Sequence, residues 1–211
     1  DSYVVSGFSH FWPNRFSSAA EDIVNFSVSQ PTVDYGGVML PRVKISCDPL
    51  LMSVFDFENP DDRLIDLMNR TYMAHEVRYN MTGVFSAFGE GSSGLSSPSW
   101  VWEWVVLADG RMWVLQDTGI RDQDVVDVDI SPIIHLKTAV GFLALYGTPF
   151  AQKMVDYVLE RVPLTSKGFS EGVDENGRSV TIPLSTANSL VINAALYAVE
   201  NRVVVPDPYK S

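Results

Sequence analysis

The sequence predicts an α+β fold, and three observations predict it. Residues 133–145, 150–159 and 190–199 carry apolar side chains at three- and four-residue spacing, the period of helices that bury one face. Trp100, Trp102 and Trp104 alternate with Val101, Glu103 and Val105, the period of a strand. Asp109-Gly110 and Asn176-Gly177 are two-residue turn signals that fold β-hairpins near residues 100–116 and 169–182. A chain of 211 residues suffices for one core, or for one domain with a packed subdomain, and 46% hydrophobic with 19% charged residues excludes a disordered chain.

Taken in order, residues 1–57 read as a β-rich N-terminal segment. Residues 2–7 are a strand candidate, followed by an aromatic loop with His10, Phe11, Trp12 and Phe16; Ile23, Val24, Phe26 and Val28 suggest a second strand. Pro31, Asp34, Gly36 and Gly37 supply turn chemistry, and residues 38–45 and 50–57 add two apolar runs around Cys47-Asp48-Pro49. A short antiparallel sheet is the simplest account. The character changes at Glu58-Asn59-Pro60-Asp61-Asp62, where Asn as N-cap, Pro at the first helical position and two acids in the first turn suit the free amides and positive dipole end of a helix. That helix carries Leu64, Ile65, Leu67, Met68, Tyr72 and Met73 inward and ends near Tyr79 or Asn80.

Residues 82–99 form a Gly- and Ser-rich loop before the tryptophan hairpin, and residues 121–129 an acidic connector. Ser131-Pro132 starts a helix through Ile133, Leu136, Lys137, Val140 and Phe142 that Gly147 stops; Thr148-Pro149 starts the next. A turn this short makes an antiparallel or steeply crossed helical hairpin. Ser185 or Thr186 caps the last helix. The expected organisation is thus 1–57 β-rich, 58–202 helical with inserted hairpins, and 203–211 an extended tail whose Val203-Val204-Val205 run should dock.

The formal net charge of -11, with 15 basic against 26 acidic residues, excludes a nucleic-acid partner, since phosphate binding needs clustered Lys and Arg. The single Cys47 excludes an internal disulfide, and its apolar neighbours predict a buried thiol. No apolar run approaches the roughly 18 residues of a membrane span. Asn25-Phe26-Ser27, Asn69-Arg70-Thr71 and Asn80-Met81-Thr82 are glycosylation sequons, meaningful in an exported protein. They lead to an expected extracellular or cell-surface location, with Asp1 a processed mature terminus.

Several side chains are candidates for chemistry. Trp100, Trp102 and Trp104 on one strand face, with Trp113 on the return strand, offer flat area suited to the apolar faces of sugar rings; the same row would also serve as core beneath a helix. Asp122, Asp124, Asp127 and Asp129 could gather oxygen ligands for calcium, or simply solvate a linker, and the run lacks the glycine and terminal glutamate of an EF-hand loop. His10, His75 and His135 share no metal-ligand spacing, and His135 reads as a satisfied packing histidine. The turns Ala87-Phe88-Gly89-Glu90-Gly91 and Gly168-Phe169-Ser170-Glu171-Gly172 nearly repeat one another, each placing a carboxylate before a glycine.

Lys137-Thr138-Ala139 through Tyr146-Gly147, the second of these turns, and Thr186-Ala187-Asn188-Ser189-Leu190 to Tyr197 resemble the closing part of a secreted helical domain of unknown function that often accompanies bacterial and archaeal exopolysaccharide synthesis. That domain is similar to glucoamylase-like and cellulase-like α/α-toroid glycosidases; residues 82–91 and 100–104 also look like parts of its archaeal versions. The resemblance implies a reduced toroid-like set of helical hairpins. It implies Glu90 and Glu171 as a catalytic carboxylate pair, one acid and one base or nucleophile. Trp100, Trp102, Trp104, Trp113 and Arg178 would then bind a polysaccharide or glycan, with Glu103, Asp174 and Glu175 as further acids and no cofactor required. The alternatives are a structural role for both turns, and a non-catalytic subunit of a surface filament or sheath that self-assembles through its N-terminal strand and the Val203-Val204-Val205 tail.

Overall fold

A computed structural model describes residues 2–57, 60–96, 98–117, 130–162 and 164–201. The described residues form seven helices and three small antiparallel sheets, an α+β architecture as the sequence predicts. The expected β-rich start is overturned. Residues Ser2–Phe11 (α1) and Pro13–Ser29 (α2) are helices packed on each other. The periodicity of 3.6 was present: Phe16, Ala19, Ala20, Ile23, Val24, Ser27 and Val28 are the partly or fully buried positions of α2, and Pro13 opens it at a position where its missing amide costs nothing. The β-branched Val4 and Val5 had favoured a strand, but α1 gains more by closing on α2, where the Phe8 ring lies 5.9 Å from Trp12 and 5.4 Å from Phe16. Strand addition through an N-terminal strand therefore has no strand to use.

Thr32–Tyr35 (β1) and Val38–Pro41 (β2) make the first hairpin. Cys47–Asp56 (α3) is a helix where a fourth apolar strand was expected: Cys47, Leu50, Leu51 and Val54 recur at helical spacing and are buried, while Pro49 sits in the first turn, whose amides have no intrahelical partner. Asp62–Thr82 (α4) begins two residues later than predicted, with Asp61 rather than Asn59 capping it by accepting from the Arg63 amide at 2.9 Å. Gly83 ends it in the left-handed region at φ 72°, donating to the Tyr79 carbonyl.

Glu90–Ser92 (β3), Trp100–Val106 (β4) and Met112–Asp117 (β5) form a three-stranded sheet. Ile133–His135 (β6), Ser170–Asp174 (β7) and Ser179–Pro183 (β8) form another. Both predicted hairpins, β4–β5 and β7–β8, are thus present. The expected helical turn at 133–135 is a strand instead, because β-branched Ile133 and Ile134 are wholly buried and exchange backbone bonds with β7. Leu136–Tyr146 (α5) follows at once, closed by Gly147 at φ 56°; Pro149–Leu159 (α6) is capped by Thr148, whose hydroxyl accepts from the Ala151 amide, and Ser185–Glu200 (α7) starts after Leu184 without a side-chain cap.

Helix α5 is the centre of the packing, in contact with α3, α6, α7 and β7. One continuous core joins Leu40, Leu51, Met68, Phe88, Phe142 and Met154. Each such side chain contributes about 1.5–3 kcal/mol on burial. Tyr72 stacks on Tyr146 at 4.0 Å and meets Phe142 edge-on, closing α4 against α5. The two sheets approach through a parallel bridge between Ala87 and Ile134, and this seam positions the site.

Candidate functional site

The seam brings the two Phe-x-Glu-Gly turns to the same place, on either side of the β6–α5 junction. Gly91 is what lets them meet: a Cβ there would stand 2.3 Å from Oε1 of Glu171, so the carboxylate occupies the space a side chain would fill. The carboxylates themselves face different surroundings. Glu171 is 0% exposed, and its Oε1 lies 2.7 Å from Nδ1 of His135. Glu103, on the β4 face opposite the tryptophans, approaches His135 Nε2 at 3.5 Å and accepts from the Ile133 amide at 2.6 Å. Burial would lower the His135 ring, but Glu103 and then Glu171 outweigh it and hold the imidazolium up to about 9. Burial pushes the Glu103 carboxyl up. His135 is therefore held toward its charged form between two buried glutamates, not packed as a histidine in apolar surroundings.

Beside this triad lies a second buried pair. Lys137, in the first turn of α5, places Nζ 2.6 Å from Oδ2 of Asp48 in the first turn of α3. Burial alone would lower the ammonium; the Asp48 and Glu171 carboxylates raise it instead. The pair holds the Glu90 peptide from both ends, since Lys137 donates to the Glu90 carbonyl at 2.5 Å and the Glu90 amide donates to Asp48 at 3.2 Å. Thr138 donates to the other Asp48 oxygen at 3.4 Å.

Glu90 is half-buried and opens outward. Burial, and then the neighbouring Asp48, hold its carboxyl above the usual glutamate range. It stands on a cleft of about 420 Å³ with Lys44, Ser46, Trp102 and Trp104. Trp102 is 39% exposed and Trp104 6%, their ring centroids 5.1 Å apart, and Trp104 Nε1 donates to Gln116 at 3.1 Å. Among the described residues, Glu90 is the one carboxylate on the cleft.

The other predicted residues lie elsewhere. Trp100 shares the strand face but does not line the cleft. Trp113, at φ 59°, turns into the core against Tyr35, His75 and Phe88, with the Arg78 guanidinium 5.0 Å from its ring centroid. Arg178 braces a hairpin, bonded to Asp174 at 2.9 Å and to the Ser93 carbonyl at 3.0 Å. Glu175 pairs with Arg78. Asp122, Asp124, Asp127 and Asp129 lie outside the described residues, as does the Val203-Val204-Val205 tail. Among the described residues no group of three His, Cys, Asp or Glu is arranged to hold a metal ion. Cys47 is buried as expected, beside His75, whose ring is held down at about 3 by burial and stays neutral. The three sequons all sit on helices, and each Ser or Thr hydroxyl donates to the carbonyl four residues back: Ser27 to Ile23, Thr71 to Leu67, Thr82 to Arg78.

Residues 15–201, which include the whole cleft and the buried layer behind it, match the family model described as "Protein of unknown function (DUF3131)". The chain belongs to that family. Among curated proteins and solved structures, nothing matches it. Helix α1 precedes the residues matched to the DUF3131 model. Within the DUF3131 region, Asp48 and Lys137 are the functional candidates that sequence reading missed. The available signal was a lysine and a histidine inside an otherwise apolar helical run, Ile134-His135-Leu136-Lys137, which is tolerable only with buried partners.

Proposed function

We propose that this protein is a carbohydrate-binding domain of the cell surface whose cleft takes a glycan against Trp102 and Trp104, with Glu90 as the polar anchor. The observation that carries this reading is the placement of Glu90, a half-buried carboxyl with a raised pKa, on the same cleft as two adjacent indoles. Indole faces stack on sugar rings at small entropic cost, and a carboxyl group on the same cleft can hydrogen-bond to ring hydroxyls. The resemblance of the Glu90 and Glu171 turns to those of toroid glycosidases supports the same substrate class. Binding is favoured over hydrolysis because glycosidases place two carboxylates across the scissile bond, whereas Glu171 is sealed beneath the cleft against His135.

Titration of the purified protein with a panel of neutral oligosaccharides, followed by tryptophan fluorescence and by release of reducing ends, tests it. Saturable quenching without hydrolysis is the expected result, and Glu90→Gln together with Trp102→Ala should each weaken it at least tenfold. No response to any glycan would overturn the reading; turnover of a glycan would convert it to an enzyme.

A further inference from the structure

The cleft is lined by far more than indoles and one carboxyl. Besides Trp102 and Glu90, its lining includes Ile23 and Phe26 of α2, Leu50 and Met52 of α3, and Leu64 and Leu67 of α4. Sugar sites spend most of their wall on hydrogen-bonding groups, because every ring hydroxyl that leaves water needs a partner. Here Ser27, Lys44, Ser46 and Glu90 supply the polar groups and the rest of the wall is apolar. A bare glycan filling the cleft would leave hydroxyls unpaired against leucine and isoleucine.

Ser46 adds a second, independent observation. It lines the cleft, is 8% exposed, and its hydroxyl has no hydrogen-bond partner. Buried hydroxyls are seldom left unsatisfied, so Ser46, a residue of the cleft wall, is a candidate partner for a polar group of the ligand. From the cleft and from Ser46 we infer that the preferred ligand is amphipathic, a sugar carrying an aliphatic chain. The sugar lies at Glu90 and Trp102, a hydroxyl, ester or amide of the linkage meets Ser46, and the chain runs between α2, α3 and α4. This inference rests on the carbohydrate reading above and narrows its substrate class. The aglycone of a glycolipid and an acyl group on the sugar itself both supply such a chain and present the same chemistry.

The test compares methyl, hexyl and octyl glycosides of glucose, galactose and mannose, each below its micelle concentration, with octanoylated sugars, octanoate and the unsubstituted oligosaccharides. Affinity should rise about three- to fourfold per methylene until the cleft is filled. Ser27→Phe, which adds bulk to the lining, should remove the chain-length dependence while the thermal melt stays in place, and Ser46→Ala should weaken alkyl glycosides and acylated sugars several-fold. A preference between octyl glycosides and octanoylated sugars identifies the source of the chain. Equal affinity for methyl and octyl glycosides overturns the inference and leaves the carbohydrate reading standing. Octanoate binding as tightly as the glycosides overturns the requirement for a sugar, and no binding by any probe overturns both.

Discussion

Nδ1 of His135 lies 2.7 Å from Oε1 of Glu171 where neither side chain is exposed to solvent. The relationship joins the β6–α5 junction to β7 and is the point on which the two repeated turns converge. Its electrostatics set a pH dependence. The His135 pKa is raised in the folded state to about 9 against an ordinary 6.5, so its contribution to stability is fully present below about 6.5 and is lost as pH rises through 9. The melting temperature should therefore fall between pH 7 and 10, and Glu171→Gln should flatten that fall. Glu171→Ala, which leaves His135 half-paired in a dry site, should cost about 3–5 kcal/mol at pH 7 in urea unfolding. A melting temperature flat from pH 6 to 10 would exclude a charged His135.

The close approach at Gly91 predicts a steric cost. A methyl group there would meet Glu171 Oε1 at 2.3 Å and Cδ at 2.6 Å, and the carboxylate cannot withdraw without leaving His135. Gly91→Ala should destabilise by about 1–3 kcal/mol, the range of overpacked cores. Glu171→Ser in the Gly91→Ala background should cost less than Glu171→Ser alone, since it vacates the space the methyl needs. Additive losses in the double-mutant cycle would mean that the two turns do not touch.

How much of this was legible follows from which residues speak locally. The Gly147 stop, the Thr148-Pro149 restart and the two Gly-containing hairpin turns were readable because each depends on one or two residues and their neighbours. The start of the chain was misread because Val4-Val5 and Ile23-Val24 have strand propensity, while the four-residue spacing of Phe8, Trp12 and Phe16 matters only once α1 closes on α2. The repeated Phe-x-Glu-Gly turns were legible as a pair, and they do converge. Which carboxylate faces out was not, because that depends on strand register: β7 is buried along its whole length, whereas β3 presents Glu90 at its first residue, opposite Trp102. Asp48 and Lys137 stand 89 positions apart and meet only in the assembled core, so no local pattern announced the pair.

The four tryptophans proposed as a sugar platform should separate experimentally. Trp102 is 39% exposed on the cleft, whereas Trp113 is packed against His75 and Phe88. Trp102→Ala should leave stability within about 0.5 kcal/mol and remove glycan-induced fluorescence change. Trp113→Ala should cost about 3 kcal/mol or more and, in the folded fraction, leave binding in place. The reverse pattern would move the ligand site to the β5 side of the sheet.

The sequons divide in the same way. At Asn69-Arg70-Thr71, Thr71 is 0% exposed and the Asn69 carboxamide accepts from the Tyr146 hydroxyl at 3.0 Å. Asn80, Met81 and Thr82 are all exposed at the end of α4. In a host that modifies folded proteins, peptide mass spectrometry should find glycan at Asn80 and none at Asn69. Occupancy at Asn69 would require attachment before α4 packs on α5.

The last prediction concerns the clamp on Glu90. Lys137 and Asp48 attract one another across 2.6 Å in a site from which water is excluded, and both also bond the Glu90 peptide. Removing one partner strands the other charge, so Lys137→Met and Asp48→Asn should each cost about 3–5 kcal/mol. The double variant should recover much of that loss, because two neutral groups of similar volume need no counter-charge. Stability and ligand binding then part company. In the refolded double variant the Glu90 peptide has lost both of its charged partners, so Glu90 should sample more than one position, and glycan affinity should remain depressed although the melting temperature is restored. Lys137→Arg, which keeps the charge but not the shape, should retain more affinity than Lys137→Met at equal stability. If the double variant regains full affinity along with its stability, the pair serves the core alone and Glu90 is held by its strand pairing with Trp102.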